Sequence, residues 1–576
     1  MTLHSPEPNY GFSNSRRLIG PNRYFAGSAV TLTPLGNAAA DPAALQSWAR
    51  HVRAMAQSLQ WPDPQPLIAP HAADVSLVFS APQDVLLTAT EVSEWAWERA
   101  AAEFGERGFD LAHADLPIPS AVFAGRAAAE RSELRAALRS AAAARGLPTF
   151  EDDETLSIGA GSGSRTWRRE ALPAVDAVDW AALADIPTAL VTGSNGKTTT
   201  VRLLAAMAAA SGLRPGLCST EGVFVDGQAV THGDFAGPDG ARTVLRHPDV
   251  QAAILETARG GILRRGLAVR RATVAVVTNI HADHFGEYGV DDAQALATTK
   301  LVVAHAVRDG GTLVLNADDA VLMATASGLA HVAAARLALF AEAESQPSLG
   351  ALRARGGNTC AVREGQLVLH ENGREHTLGA LIDMPLTVQG AALYNVGNLC
   401  AAALAAMARG LSLPAVTRTL QSFGANPLDN PGRLERWQHR GALVLMDYAH
   451  NPDALDQLLT TARALKPARL LLLLGQAGNR GDDAIADLAR TAARFAPDRV
   501  VIKELALMLR GRELGDVSAR LARALESAGY PAAHIDLVAD EEAAAHALLD
   551  VAGPGDVVVL PVHTRAVRER LRTLFA

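Results

Sequence analysis

The sequence predicts an α/β protein with three parts. These are an N-terminal α/β domain, a central P-loop doubly wound parallel sheet with a small antiparallel excursion, and a C-terminal Rossmann-like domain. Three observations carry the prediction. At 576 residues the chain is too long for one hydrophobic core. From about residue 185, short apolar runs without polar alternation alternate with helical segments, the pattern of strands buried on both faces. One of these runs enters a glycine-rich turn that opens directly into an amphipathic segment.

The elements follow in order. In the first ~150 residues, strand-like pieces ("ADVSLVFSA", 73–81; "DVLLTATEV", 84–92) alternate with helix-like ones ("AALQSWARHVRAMAQSLQ", 43–60; "AAAERSELRAALRSAAAARG", 127–146). The polar, glycine-rich "EDDETLSIGAGSGSR" (151–165) reads as a linker or mobile loop, so the first domain is expected over residues 1–165. A central domain is expected over 166–428, with strands at "TALVT", "AAILE", "TVAVVTNI" and "GTLVLN". Within it, hairpin signals at Glu364-Gly365 and Asn372-Gly373 mark the antiparallel excursion. The last domain, 429–576, carries "ALVLMD", "RLLLLLG", "RVVIKE", "HIDLVA" and "DVVVLPV" between helices, a second doubly wound sheet.

Composition narrows the function classes. A formal charge of −8 over this length gives no sign of nucleic-acid binding. Three distant cysteines, Cys218, Cys360 and Cys400, form no metal-type pair and suit a reducing, cytoplasmic setting. The opening stretch has no apolar signal core and no run reaches the ~18 apolar residues of a membrane span. A cytosolic, soluble protein without a membrane partner is expected.

The chemistry begins at "ALVTGSNGKTTTVRLLAAM", residues 189–207. The general signature G-x-x-x-x-G-K-[ST] fails here, because Val191 occupies its first glycine position. The strand–turn–helix context is nevertheless that of an anion-binding loop, in which backbone N–H groups and the helix dipole converge. Gly193, Ser194, Asn195, Gly196, Lys197, Thr198 and Thr199 are therefore expected to hold a nucleotide phosphate. Lys197 can neutralise β/γ-phosphate charge, and the Thr198 hydroxyl can reach a magnesium ion. Glu256, at the carboxyl end of "AAILE", points into the crevice where ligands bind in such sheets, and beside a phosphate loop it reads as a magnesium ligand. Past the next strand, "VVTNIHADHFGEYG" offers Asn279, Asp283 and His284, with the Asp283-His284 pair suggesting a second cation site. Lys300, in "LATTKLVV", is by itself an ordinary helix lysine.

Together these elements resemble the ATP-dependent Mur ligase superfamily, which includes the peptidoglycan amino-acid-adding ligases and folylpolyglutamate synthetase. Members carry a shortened G-T-N-G-K-T loop, and here serine replaces the threonine while keeping its hydroxyl. The resemblance continues in family order through "ALYNVGNLCAAALA", "NPGRLE" and "MDYAHNPDAL". It implies that Asn395 and Asn398 flank adenine, Arg433 reaches the γ-phosphate and Asp447 holds ribose. His450 and Asn451 would then lie near the reacting phosphate and substrate. It further implies two magnesium ions, held in part by Glu256 and His284, and a carbamate on Lys300 that orients the second.

"LETARGGILRRGL", "NIHADHFGEYG", "NRGDD" and "LRGRELGD" narrow the resemblance to the Mur-ligase-like module of cyanophycin synthetases. No stretch is long enough for the ATP-grasp domain that lies between the matching regions in full-length members, so one ATP site and one ligation step are expected. The implied partners are a peptide or polymer acceptor and an amino-acid or dipeptide donor, with a homo-oligomer (dimer or tetramer). The implied reactions are arginine addition to an aspartyl backbone, or the joining of β-aspartyl-arginine units. Polymer binding is assigned by analogy to the N-terminal domain. Arg259, Arg264 and Arg265 either bind substrate carboxylates or form a solvated basic turn. Arg510, Arg512 and His563 are candidates for the incoming amine, with structural roles equally open. The alternatives are a Mur-type ligase with another acceptor, and a silent relative that regulates a synthetase.

Overall fold

The computed structural model describes residues 11–106, 119–281 and 285–575. It forms two compact units, Met1–Leu339 with Leu404–Leu411, and Phe340–Ala403 with Ser412–Ala576.

Unit one begins with an antiparallel sheet of β1 (Phe12–Leu18), β2 (Ala29–Pro34), β3 (Leu67–Pro70) and β4 (Val75–Ser80), in the order β1-β2-β4-β3. Helices α1 (Pro42–Ser58) and α2 (Leu86–Glu103) complete its core, in which Trp48, Phe79 and Trp97 are fully buried. Residues 84–92, expected as a strand, instead lead into and open α2. Leu86, Ala89, Val92, Ala96 and Ala100 are buried at spacings of three or four. That helical period extends beyond the locally β-branched run that suggested a strand. The helix-like stretch 127–146 is divided between α3 (Pro119–Glu130) and α4 (Glu133–Ala144), where the Ser132 hydroxyl caps the second helix by accepting from Arg135 N–H.

The glycine-rich stretch 151–165 is not a linker. It contributes to a small antiparallel sheet of β5 (Thr149–Glu151), β6 (Thr155–Ile158) and β7 (Arg165–Arg168). Leu156 and Ile158 are buried with Leu138, and Asp152 pairs with Arg246. Gly161 has φ +53°, and a Cβ there would meet the Val250 carbonyl oxygen at 2.2 Å. Its glycine serves close backbone packing, which composition cannot distinguish from flexibility.

The main sheet of unit one contains β8 (Thr188–Thr192), β9 (Pro215–Ser219), β10 (Gly222–Val225), β11 (Gln228–His232), β12 (Ala252–Glu256), β13 (Ala272–Val277) and β14 (Val307–Asn316). Their order is β11-β10-β9-β12-β8-β13-β14, parallel from β9 to β14 and antiparallel at the β9-β10-β11 edge. Every residue of β8, β12 and β13 is buried, which explains their unbroken apolar sequence. Helices α5 (Lys197–Ala210), α6 (Pro238–Arg246), α7 (Arg259–Arg265) and α8 (Ala293–Leu301) connect them. The chain leaves β8 for β9, returns to β12 beside β8, and places β13 on the other side. The loop after β8 thus stands at the switch point where α/β sheets bind ligands. The N-terminal block braces this region: Ile19 N–H donates to the Arg265 carbonyl at 2.8 Å, and Arg16 Nη1 to that of Leu263 at 2.7 Å.

Strand β15 (Arg336–Ala343) carries the chain into unit two. There β16 (Asn358–Arg363), β17 (Gln366–Glu371) and β18 (Arg374–Ala380) form the expected antiparallel excursion. Glu364, Gly365, Asn372 and Gly373 all have positive φ, as two-residue hairpin turns require. The second large sheet comprises β19 (Glu435–His439), β20 (Ala442–Asp447), β21 (Leu470–Leu474), β22 (Arg499–Lys503), β23 (Ile535–Val538) and β24 (Val557–Pro561). Its order is β19-β20-β24-β21-β22-β23, and β19 alone runs antiparallel. Among the described residues no helix is long and apolar enough to cross a membrane.

Candidate active site

In unit one the loop after β8 is built by its neighbours. Gly193 has φ +150°, and a Cβ there would lie 1.8 Å from Thr278 Oγ1, so the position admits only glycine. Asn195 N–H donates to Asn279 Oδ1 at 2.8 Å, and Ser194 N–H to the Asn279 carbonyl at 2.9 Å. The Ser194 hydroxyl donates to the His281 carbonyl at 3.1 Å and accepts from His281 N–H at 3.0 Å. Thr278 Oγ1 donates to the Asn195 carbonyl at 2.6 Å. Asn279 therefore acts here as a brace on the loop backbone. Gly196, in the left-handed region, is the N-cap of α5 and carries no side chain to cap its first turn. Lys197 Nζ donates to the Ser194 carbonyl at 2.8 Å, folded back over the loop.

Below the loop, Thr198 Oγ1 donates to Glu256 Oε2 at 2.8 Å. Glu256 is 1% exposed, and its Oε1 is buried without a hydrogen-bond partner among the described residues. A buried carboxylate oxygen left unmatched carries a desolvation cost, and a hydroxyl beside a carboxylate is an oxygen donor set for a hard divalent cation. Thr198 and Glu256 thus fit magnesium. His284, expected as a further ligand, and Asp283 lie outside the described residues.

Lys300, in the last turn of α8, is 3% exposed and its Nζ donates to the Gly193 carbonyl at 2.7 Å. Its distance in sequence from the loop is thereby closed. Carbamylation would leave one N–H on that nitrogen, enough to keep this bond. Arg259, at the start of α7, forms an ion pair with Glu287.

In unit two, Asn395 and Asn398 sit in the helix Tyr394–Ala408 and are buried. Asn395 Nδ2 donates to the Leu386 carbonyl and Asn398 Nδ2 to Asn395 Oδ1, each at 2.9 Å. Leu386 lines a small cleft with Asn430, Arg433 and Leu434. The Arg433 guanidinium lies 4.7 Å over the Tyr448 ring. Asp447, at the end of β20, accepts from Leu434 N–H at 2.6 Å. Burial raises its pKa, opposed by the Arg433 charge and by backbone donors. These residues meet at the carboxyl edge of the C-terminal sheet.

The candidate substrate residues diverge. Asn451 Oδ1 accepts from Ala454 N–H at 2.8 Å and caps the helix Pro452–Ala464. His450 Nδ1 lies 3.1 Å from the Tyr448 carbonyl. Arg512 is held by Asp482, Asp516 and the carbonyls of Gly478 and Arg480, a set that orders its own loop. Arg510 is exposed. His563 is buried with both ring nitrogens engaged, by Lys503 and by the Ala449 carbonyl. Sequence reasoning missed Thr278, Gln476, Lys503 and Glu541. The linear signal was a lysine directly after the apolar run Val500-Val501-Ile502 in "RVVIK".

Residues 191–406 match the Mur ligase middle domain, and residues 432–561 the glutamate ligase domain of Mur ligases. The chain is 34% identical over 377 residues to the cyanophycin synthetase of Trichormus variabilis, covering 65% of this chain and 41% of that one, less than half the relative's length. It is 32% identical over 378 residues to the UDP-N-acetylmuramoyl-L-alanyl-D-glutamate–2,6-diaminopimelate ligase of Xanthomonas campestris pv. campestris, covering 64% of this chain and 70% of that one. Among solved structures, E. coli FolC in complex with DHPP and ADP matches with a TM-score of 0.48 at 21% identity, over 68% of this chain and 89% of that one.

Proposed function

This chain belongs to the Mur ligase family, and on that premise we propose that it joins a carboxylate to an amine through an acyl phosphate made from ATP. The observation that carries the reading is the Thr198–Glu256 pair beneath the phosphate loop, with one carboxylate oxygen left unmatched.

A carboxylate is a poor acyl donor because oxide is a very poor leaving group. In the proposed first step a substrate carboxylate oxygen attacks the γ-phosphorus and ADP leaves. The amine nitrogen then attacks the acyl carbon, phosphate leaves, and the nitrogen gives up a proton to form the amide. Lys197 and the N-terminus of α5 neutralise charge on the transferring group. Thr198 and Glu256 would hold magnesium, and His284 is proposed as a further ligand. Magnesium, when bound, supplies charge screening at the phosphoryl oxygens. Lys300 fixes the loop through the Gly193 carbonyl. Asn395 and Asn398 serve adenine, Asp447 the ribose, and Arg433 the γ-phosphate.

The substrates proposed are Asp/Arg peptides related to cyanophycin, taken either with free arginine or as preformed β-aspartyl-arginine units. The 34% identity to a cyanophycin synthetase over 377 residues supports this choice. The test is phosphate release by purified protein with ATP and magnesium across single substrate pairs. Release that needs both an aspartyl acceptor and one of the two arginine donors is expected. Turnover only with a different amino acid would replace the substrate assignment, and no turnover with any pair despite ATP binding would remove the ligase assignment.

A further inference from the structure

Lys503 ends β22 with none of its side chain exposed. Its ammonium has three N–H bonds, and three acceptors meet them: Glu541 Oε1, the Pro561 carbonyl, and His563 Nδ1 at 3.0 Å. Glu541 is satisfied in turn. Its Oε1 also accepts from His563 N–H at 2.8 Å, and its Oε2 from Thr564 N–H at 2.9 Å. His563 Nε2 lies 3.2 Å from the Ala449 carbonyl. A carbonyl can only accept, so Nε2 carries the proton and Nδ1 accepts from Lys503. The ring is therefore neutral, in accord with a pKa that burial and the Lys503 charge lower to about 4. Burial lowers Lys503 to about 8.

The network ends on one short turn. Besides the bond to Ala449, the His563 ring stands edge-on to Tyr448 at 5.3 Å. Gln476, which follows β21 on the same side of β20 as His563, donates from Nε2 to the His450 carbonyl at 3.1 Å. Room for the lysine stem comes from Gly475, where a Cβ would approach Lys503 Cγ to 2.6 Å. Burying two full charges is a costly way to fill a core, since apolar groups of the same size do so at least as well. A completely satisfied polar network instead specifies one arrangement.

We infer that Lys503, Glu541 and His563 form a buried positioning network that fixes the 448–451 turn and so places His450 and Asn451. Its kinetic consequence rests on the ligase reading; its effect on the turn does not. His563 is thus a positioning residue rather than a contact for the incoming amine.

The test compares His563→Leu with His563→Gln in the full chain, by hydrogen exchange of the 448–451 amides and by steady-state kinetics. Glutamine can accept from Lys503 and donate to Ala449, whereas leucine does neither. The leucine variant should raise exchange in the turn by about tenfold or more, as expected for a buried hydrogen bond lost. It should lower kcat by a similar ~10-fold while the KM for ATP stays within about twofold, and glutamine should restore both. His563→Asn, too short to reach both partners, replaces the leucine variant if that fails to fold. Unchanged exchange in the disruptive variant overturns the network whatever the activity. A loosened turn with unchanged kcat overturns its kinetic role. Absence of turnover in the unaltered protein overturns the ligase reading alone, and exchange then decides the network.

Discussion

The Thr198 hydroxyl donates to one oxygen of Glu256 across 58 residues of sequence, and the other oxygen of that carboxylate is buried with no hydrogen-bond partner among the described residues. The pair joins the first turn of α5 to the end of β12, strands β8 and β12 being neighbours in register. A charge left half-matched in a folded interior costs stability unless something is bound there.

Glu256→Gln should therefore lower turnover by about 100-fold or more while leaving the melting temperature equal or higher, since it removes a buried charge. Turnover is followed by phosphate release and stability by calorimetry. A rate near that of the unaltered protein would remove Glu256 from the site, and a large loss of stability would make its role architectural.

Lys300→Met removes the donor that holds the Gly193 carbonyl and leaves that carbonyl buried. The loop should loosen, and ADP affinity measured by calorimetric titration should fall by about tenfold, the value of one buried hydrogen bond. Unaltered ADP affinity would show that Lys300 does not set the loop.

Gly161→Ala distinguishes packing from flexibility in residues 151–165. The added methyl meets the Val250 carbonyl oxygen at 2.2 Å and Ile186 Cδ1 at 2.4 Å, at φ +53°. Urea unfolding should show a loss of about 2–3 kcal/mol. A linker would accept the change without cost.

Glu98, on α2, is buried with neither carboxylate oxygen partnered among the described residues, and burial, then the neighbouring Glu94, pushes its pKa from 4.5 to about 7. Between those values the folded state holds a proton that the unfolded chain has released. Stability must fall as pH rises through that window. Glu98→Gln should be free of this dependence, so its advantage in melting temperature should grow from pH 4.5 to about 7 and then level off. A constant difference across that range would place the proton elsewhere.

Much was legible in the residues alone. Unbroken apolar runs located β8, β12, β13, β21 and β24, because strands covered on both faces have no use for alternation. The Glu364-Gly365 and Asn372-Gly373 turns announced their hairpins, since positive φ at both central positions selects such pairs. The shortened loop from Gly193 to Thr198, with its lysine and threonine, indicated phosphate chemistry, as those roles depend on local backbone and side-chain type. Where local signals were ambiguous the reading failed. The β-branched run at 84–92 became helical because its burial period belongs to the whole of α2, and the glycines at 159–163 were packed rather than free.

What only the tertiary structure decided was which side chains are already committed. Lys300 reaches the Gly193 carbonyl from 107 residues away, and Asn279 braces Asn195 rather than standing open. His563 is enclosed by Lys503 and Ala449, with Glu541 completing the charge balance. Each of these is a contact between distant segments, fixed by strand order at a sheet edge. Side-chain chemistry is written residue by residue, but the partner that spends or frees it is set by the fold.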